Sequence, residues 1–241
     1  MKVIITENYD EMSQRAFEII KETVVSNPNA VLGLATGSTP IGTYDLMAKD
    51  FKENGTSYKG VSSVNLDEYV GLPAEHDQSY AFFMNKYLFD RVDIDKKNTN
   101  LPNGVATDLS AECDRYNALL GGMKQDVQVL GIGSNGHIGF NEPGTGADSV
   151  THVVELTENT IKDNSRLFDN ESDVPRQALS MGIANILYAK KIIVMASGEN
   201  KAWAINEMIN GPISANCPAS YLQNHGDVTV IVDKAAAKLL K

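Results

Sequence analysis

Cysteine is nearly missing from this chain: Cys113 and Cys217 stand far apart and lack CxxC spacing. That rules out a disulfide framework and predicts two reduced thiols rather than a zinc site. No apolar run is long enough to cross a bilayer, and the opening stretch 1–6 is too short for a signal peptide, so a cytoplasmic protein without a membrane partner is expected. No basic tail or Lys/Arg cluster offsets the formal net charge of -10, which argues against nucleic acid or an anionic membrane surface as partner. An anionic small molecule stays compatible with that charge, because a few local donors suffice to bind it. Linker-like stretches, internal repeats and low-complexity segments are also missing, so residues 1–241 are expected to form one domain.

What is there resembles an ordinary globular chain. Its 241 residues, 42% hydrophobic and 22% charged, can bury a large core with no help from disulfides or structural metal. Short β-rich apolar runs at 31–35, 61–66, 127–131, 150–156, 191–196 and 228–232, with 3–5 at the start, are separated by segments of helical spacing. Those segments are 10–26, 40–53, 78–89, 109–120, 158–168 and 199–210. Such alternation predicts a single-domain α/β protein, a mainly parallel sheet covered on both faces. Ligands of such sheets bind where strands end at their carboxyl edge, so chemistry is to be sought in the loops that follow strands.

Three loops of this kind stand out. The first, ATGSTP at 35–40, places Thr39 as a helix N-cap and Pro40 at the first helical position. Free N–H groups at such a terminus favour an anion, and Gly37 allows close backbone approach, which makes Thr36, Gly37, Ser38 and Thr39 a candidate phosphate turn. The alternative is a plain strand-to-helix turn; the Gly-Lys-Ser/Thr of a nucleotide P-loop is missing. The second loop, NLDEYVGLP at 65–73, ends a mostly apolar strand in two acids. Neighbours in extended chain point oppositely, so one carboxylate faces a substrate, and Asp67, nearer the strand end, is the candidate. A carboxylate in a partly dry crevice can shuttle protons on carbon.

The third loop, LGIGSNGHIGFNEP at 130–143, contains a formal GxGxxG, but Gly139, Pro143, Gly144 and Gly146 forbid the helix that a dinucleotide fingerprint requires. NAD is therefore not expected. What remains is a glycine-shaped loop presenting Asn135, His137 and Glu142. Imidazole suits proton transfer near neutral pH, and Glu142 or Asn135 can orient it. His76, His152 and His225 are read as structural. His137 and Glu142 lack a third ligand of obvious spacing, so no catalytic metal is expected. Two cations complete the set: Arg166 in a helical stretch, and Lys201, the better candidate because its Gly-containing turn follows a strand.

Taken in order and spacing, ATGSTP, NLDEYVGLP, GIGSNGHIGFNEPGT, NSR and SGENKAWA resemble the glucosamine-6-phosphate deaminase family from about residue 3 to 232. The resemblance implies a Rossmann-like αβα fold and conversion of glucosamine 6-phosphate and water to fructose 6-phosphate and ammonia. It further implies that His137 opens the pyranose ring, supported by Glu142 and residue 135, and that Asp67 carries the C2 proton to C1. The Thr36–Thr39 turn, Arg166 and Lys201 would hold the phosphate, and no cofactor is implied. Competing expectations are a 6-phosphogluconolactonase, which leaves DEYVGLP unexplained, and a non-catalytic sugar-phosphate sensor.

Two departures from the family pattern are visible. Many members carry Asp where this chain has Asn135, and an amide cannot stabilise an imidazolium by charge, which shifts the larger share to Glu142. Residues 145–161 contain no Lys or Arg, where some bacterial members bind an activating amino-sugar phosphate. Weak or missing activation is expected, and a monomer agrees with it.

Overall fold

The computed structural model describes residues 1–158, 161, 165, 168, 170 and 173–240. A parallel sheet of seven strands runs in the order β1 (Lys2–Thr6), β10 (Val228–Asp233), β9 (Ile192–Ala196), β6 (Val127–Leu130), β2 (Val31–Leu34), β3 (Ser62–Asn65) and β5 (Thr99–Asn100). The central strands read as unbroken apolar runs because both faces are covered. One face packs on α1 (Tyr9–Ser26) and α2 (Ile41–Asn54), which contribute Met12, Ile20, Tyr44 and Met47 to its core. The other packs on α4 (Leu109–Gly122), α5 (Ile183–Leu187) and α6 (Ala202–Asn210) through Tyr116, Leu120, Ile186, Ile205 and Met208. Gly33 is required in the middle of β2. A Cβ there would lie 2.0 Å from Oε1 of Gln128, whose side chain folds across the strand from β6.

Strand order reverses at β2. From it the chain steps outward to β3 and β5, then returns to β6 on its other side and continues to β9 and β10, which pairs with the first strand, β1, at the far edge. The crevice of such a sheet opens at that switch. The loops after β3, β2, β6 and β9 are therefore spatial neighbours, although they are spread from residue 35 to residue 201.

A second, antiparallel sheet of three strands was not expected from the sequence: β4 (Asp67–Tyr69), β8 (Gln177–Ser180) and β7 (His152–Glu155). The expected strand 61–66 ends one residue early and turns at Leu66. Its N–H still bonds to Leu34 of the main sheet at 3.2 Å, while its carbonyl accepts at 2.7 Å from Met181, the residue after β8 of the small one. The expected strand 150–156 exists as β7 but belongs to this small sheet, because its partner is β8 and not the parallel core. The expected helix 158–168 lies largely outside the described residues. Helix α3 (Tyr80–Tyr87) begins at the Ser79 cap within the expected 78–89. Among the described residues, no helix is long and apolar enough to cross a membrane.

Candidate active site

At the switch point a cleft of about 320 Å³ opens, and Thr36, Gly37, Thr39, Asp67, His137 and Lys201 all line it. Four loops separated in sequence thus converge on one space. Ser38, Asn135 and Glu142 stand outside its lining, and Arg166 lies outside the described residues. The cleft also takes in Tyr80, Gly133, Gly139 and Phe140. Among the described residues, no group of three His, Cys, Asp or Glu side chains comes together as a metal cluster.

The turn after β2 differs from expectation at its helix end. Helix α2 starts at Ile41; Pro40 precedes it, with φ -83° and ψ -7°, and no side chain of the turn caps it, so Thr39 is not the N-cap. The capping comes from another helix: the Tyr9 hydroxyl accepts the Gly42 N–H at 2.8 Å and lies 3.0 and 3.1 Å from the Ser38 and Thr39 carbonyls. Ile41 N–H reaches Ser38 O at 3.4 Å. The first helical donors are therefore occupied. Among the described residues nothing accepts from the N–H groups of Gly37, Ser38 and Thr39, so the donors open to an anion belong to the turn itself. Gly37 sits at φ +88°, a backbone conformation natural to glycine.

Asp67 begins β4 just past the bend at Leu66 and is 6% exposed. Burial first, and the neighbouring Glu68 charge second, push its carboxyl up to about 8. The two acids point apart, as extended chain requires. Glu68, turned away from the cleft, accepts N–H bonds from Tyr69 at 2.9 Å and from Tyr80 and Ala81 at 2.8 Å. It thereby caps the start of α3, although burial still raises its own carboxyl. Tyr80, on that first turn, was not anticipated. Its hydroxyl lies 3.1 Å from that of Tyr69 and its ring stacks on Phe140 at 6.3 Å. The spare-looking acid of the DEY run is the only sequence signal pointing towards it.

The loop after β6 is shaped around its imidazole. Gly133 donates its N–H to His137 O at 2.9 Å, and a Cβ at 133 would come within 2.3 Å of the ring. His137 Nδ1 stands 3.2 Å from Glu142 Oε1, with that oxygen off the direction of a straight hydrogen bond. Glu142 Oε2 accepts from Asn135 Nδ2 at 2.7 Å, and Asn135 Oδ1 accepts the His137 main-chain N–H at 3.2 Å. Glu142, not Asn135, faces the ring; Asn135 ties the carboxylate to the backbone that carries the histidine. Contact with His137 first, then Asn135, hold the Glu142 carboxyl below its usual range. Across the cleft, burial alone lowers the Lys201 ammonium. His76, His152 and His225 each engage a main-chain group instead.

An acid with a raised pKa, an imidazole held beside a carboxylate, and unpaired turn donors near a desolvated lysine suit proton transfer on an anionic substrate. The family model described as glucosamine-6-phosphate isomerases/6-phosphogluconolactonase matches residues 6–231. The chain is 50% identical to the glucosamine-6-phosphate deaminase of Clostridium perfringens over the whole of both chains. A solved monomeric glucosamine-6-phosphate deaminase is 47% identical and superposes with a TM-score of 0.95, covering 99% of this chain and 100% of that one. The 6-phosphogluconolactonase of Trypanosoma brucei shares the fold alone, at 21% identity and a TM-score of 0.77, with 100% of this chain and 98% of that one covered.

Proposed function

Because the chain belongs to the family of glucosamine-6-phosphate isomerases and 6-phosphogluconolactonases, we propose, from its site and its relatives, that it is a glucosamine-6-phosphate deaminase, releasing ammonia as it converts glucosamine 6-phosphate and water to fructose 6-phosphate. The observation that carries this reading is the meeting of Asp67 and His137 in one cleft beside the turn at 36–39. A lactone hydrolase has use for the histidine but none for a buried carboxylate able to act on carbon.

The chemistry divides between the two groups. His137 moves a proton from the C1 hydroxyl to the ring oxygen, and the pyranose opens to an aldehyde. Glu142 supports the imidazole while it carries charge, and Asn135 holds Glu142 in place. Asp67, as the carboxylate, takes the C2 proton, leaving an enolamine, and a proton delivered to C1 turns this into an imine at C2. Water adds to that imine and ammonia leaves, so one water enters for one ammonia released. A carboxylate whose proton affinity has been raised by burial is the stronger base for the carbon step.

The phosphate is assigned to the open N–H groups of the turn, the Thr36 and Thr39 side chains and Lys201, with Arg166 added on sequence grounds. An arriving dianion restores the charge preference that desolvation has taken from Lys201. We assign the chain one catalytic domain, a monomeric state as in the similar solved deaminase, a cytoplasmic location and a small-molecule rather than nucleic-acid partner. The test is product analysis after incubation with glucosamine 6-phosphate. Ammonia and fructose 6-phosphate in equal amounts are expected; binding without turnover would refute the assignment.

A further inference from the structure

Asp67 stands on β4 of the small sheet and His137 on the loop that follows β6 of the main one, and their relative placement needs a physical cause. The antiparallel pairing of β4 with β8 sets Ser180 directly opposite Asp67, and Met181 N–H bonds to Leu66 O at 2.7 Å just before it. The Ser180 hydroxyl is fully buried. It accepts the Phe140 N–H from the histidine loop at 3.1 Å and lies 3.2 Å from the Met181 carbonyl.

A second bond pair runs the other way. The fully buried Asn141 uses Nδ2 to donate both to Ile138 O within its loop and to Met181 O just past the end of β8, each at 2.8 Å, while its Oδ1 has no partner among the described residues. Between the two lies Gly139 at φ +58°. A Cβ there would stand 3.2 Å from Ser180 Oγ, 3.5 Å from Asn141 Nδ2 and 3.7 Å from Asp67 Oδ2. The histidine loop therefore rests on the strand partner of the carboxylate, at the spot where the two approach.

We infer that Ser180 and Asn141 form a latch that sets the separation between the two proton carriers, acting as positioning residues for the ring-opening and carbon-proton steps. Neither residue lines the cleft, and the proposed phosphate contacts lie on other loops, so the latch governs turnover rather than substrate capture. The inference rests on the deaminase reading for its kinetic consequence and on geometry alone for its structural one.

The experiment takes the full chain and compares wild type with Ser180→Ala, and with Ser180→Cys as a second variant of similar size. Steady-state deamination of glucosamine 6-phosphate gives kcat and KM, and the His137 ring C–H resonances are recorded in the substrate-free protein. For Ser180→Ala the latch predicts kcat lower by about ten- to a hundredfold, as misplacement of reacting groups produces, and KM within about twofold. It also predicts displaced His137 resonances in folded protein. Unmoved resonances, or a rise in KM at unchanged kcat, overturn the latch. Lack of ammonia release by the wild type would instead overturn the deaminase reading, and the resonance comparison would still decide the latch.

Discussion

Glu142 stands with one carboxylate oxygen 3.2 Å from Nδ1 of His137 and the other 2.7 Å from the Asn135 amide, so a single acid joins the ring to the backbone that carries it. Asn135 closes the circle by accepting the His137 N–H. The charge that supports the imidazole thus comes from five residues downstream in the same loop, and the amide two residues upstream keeps it aimed.

Glu142→Gln preserves shape but removes that charge. Its kcat should fall by about tenfold or more, since an imidazole that must carry charge loses its stabilising partner. Asn135→Ala should cost less, because the charge remains and only its orientation slackens. Steady-state kinetics on both variants checks the order; equal losses would place the decisive role on Asn135.

Asp67 predicts an unusual pH dependence of stability. Its carboxyl is raised from the ordinary 3.8 to about 8 in the folded protein, so between those values the native state holds a proton that the unfolded chain has released. Stability from this group is complete below the unfolded value and is lost as pH rises through the folded one, at about 1.4 kcal/mol per pH unit. Asp67→Asn escapes that loss. Thermal melts should show the variant more stable than wild type at pH 7, by about 4 kcal/mol as an upper limit, with the gap closing near pH 4. A variant less stable at pH 7 would contradict the burial argument. In the active wild type, kcat/KM should rise with pH up to about 8, because the base must be ionised.

Much of this site was legible in the sequence because glycine and proline punctuate loops in recognisable ways. The turn at 35–40 announced itself by a Gly and a Pro placed to start a helix, the loop at 130–143 by residues that forbid a regular one, and strand alternation placed both at one sheet edge. What stayed hidden depends on partners distant in sequence. The hydroxyl that caps α2 comes from Tyr9, 33 residues before the Gly42 N–H it accepts, so Thr39 looked like the cap. The small sheet is built from strands as short as DEY and QALS, too brief and too polar to show a period of two. Ser180 reaches Phe140 across 40 residues, and no local pattern encodes such a bond.

Lys201 separates binding from chemistry. Lys201→Ala removes a charge-assisted contact worth about 1.5 to 3 kcal/mol, or roughly ten- to over a hundredfold in affinity for the phosphate. KM for glucosamine 6-phosphate should rise by that factor while kcat changes little. An unaltered KM would return Lys201 to a surface role.

The most direct test of the carbon chemistry is solvent exchange at C2. With glucosamine 6-phosphate in deuterated water, wild type should wash the C2 hydrogen out of substrate or carry deuterium into product, and folded Asp67→Asn should do neither. Exchange by the variant at the wild-type rate would remove Asp67 from the mechanism and leave the cleft without its base.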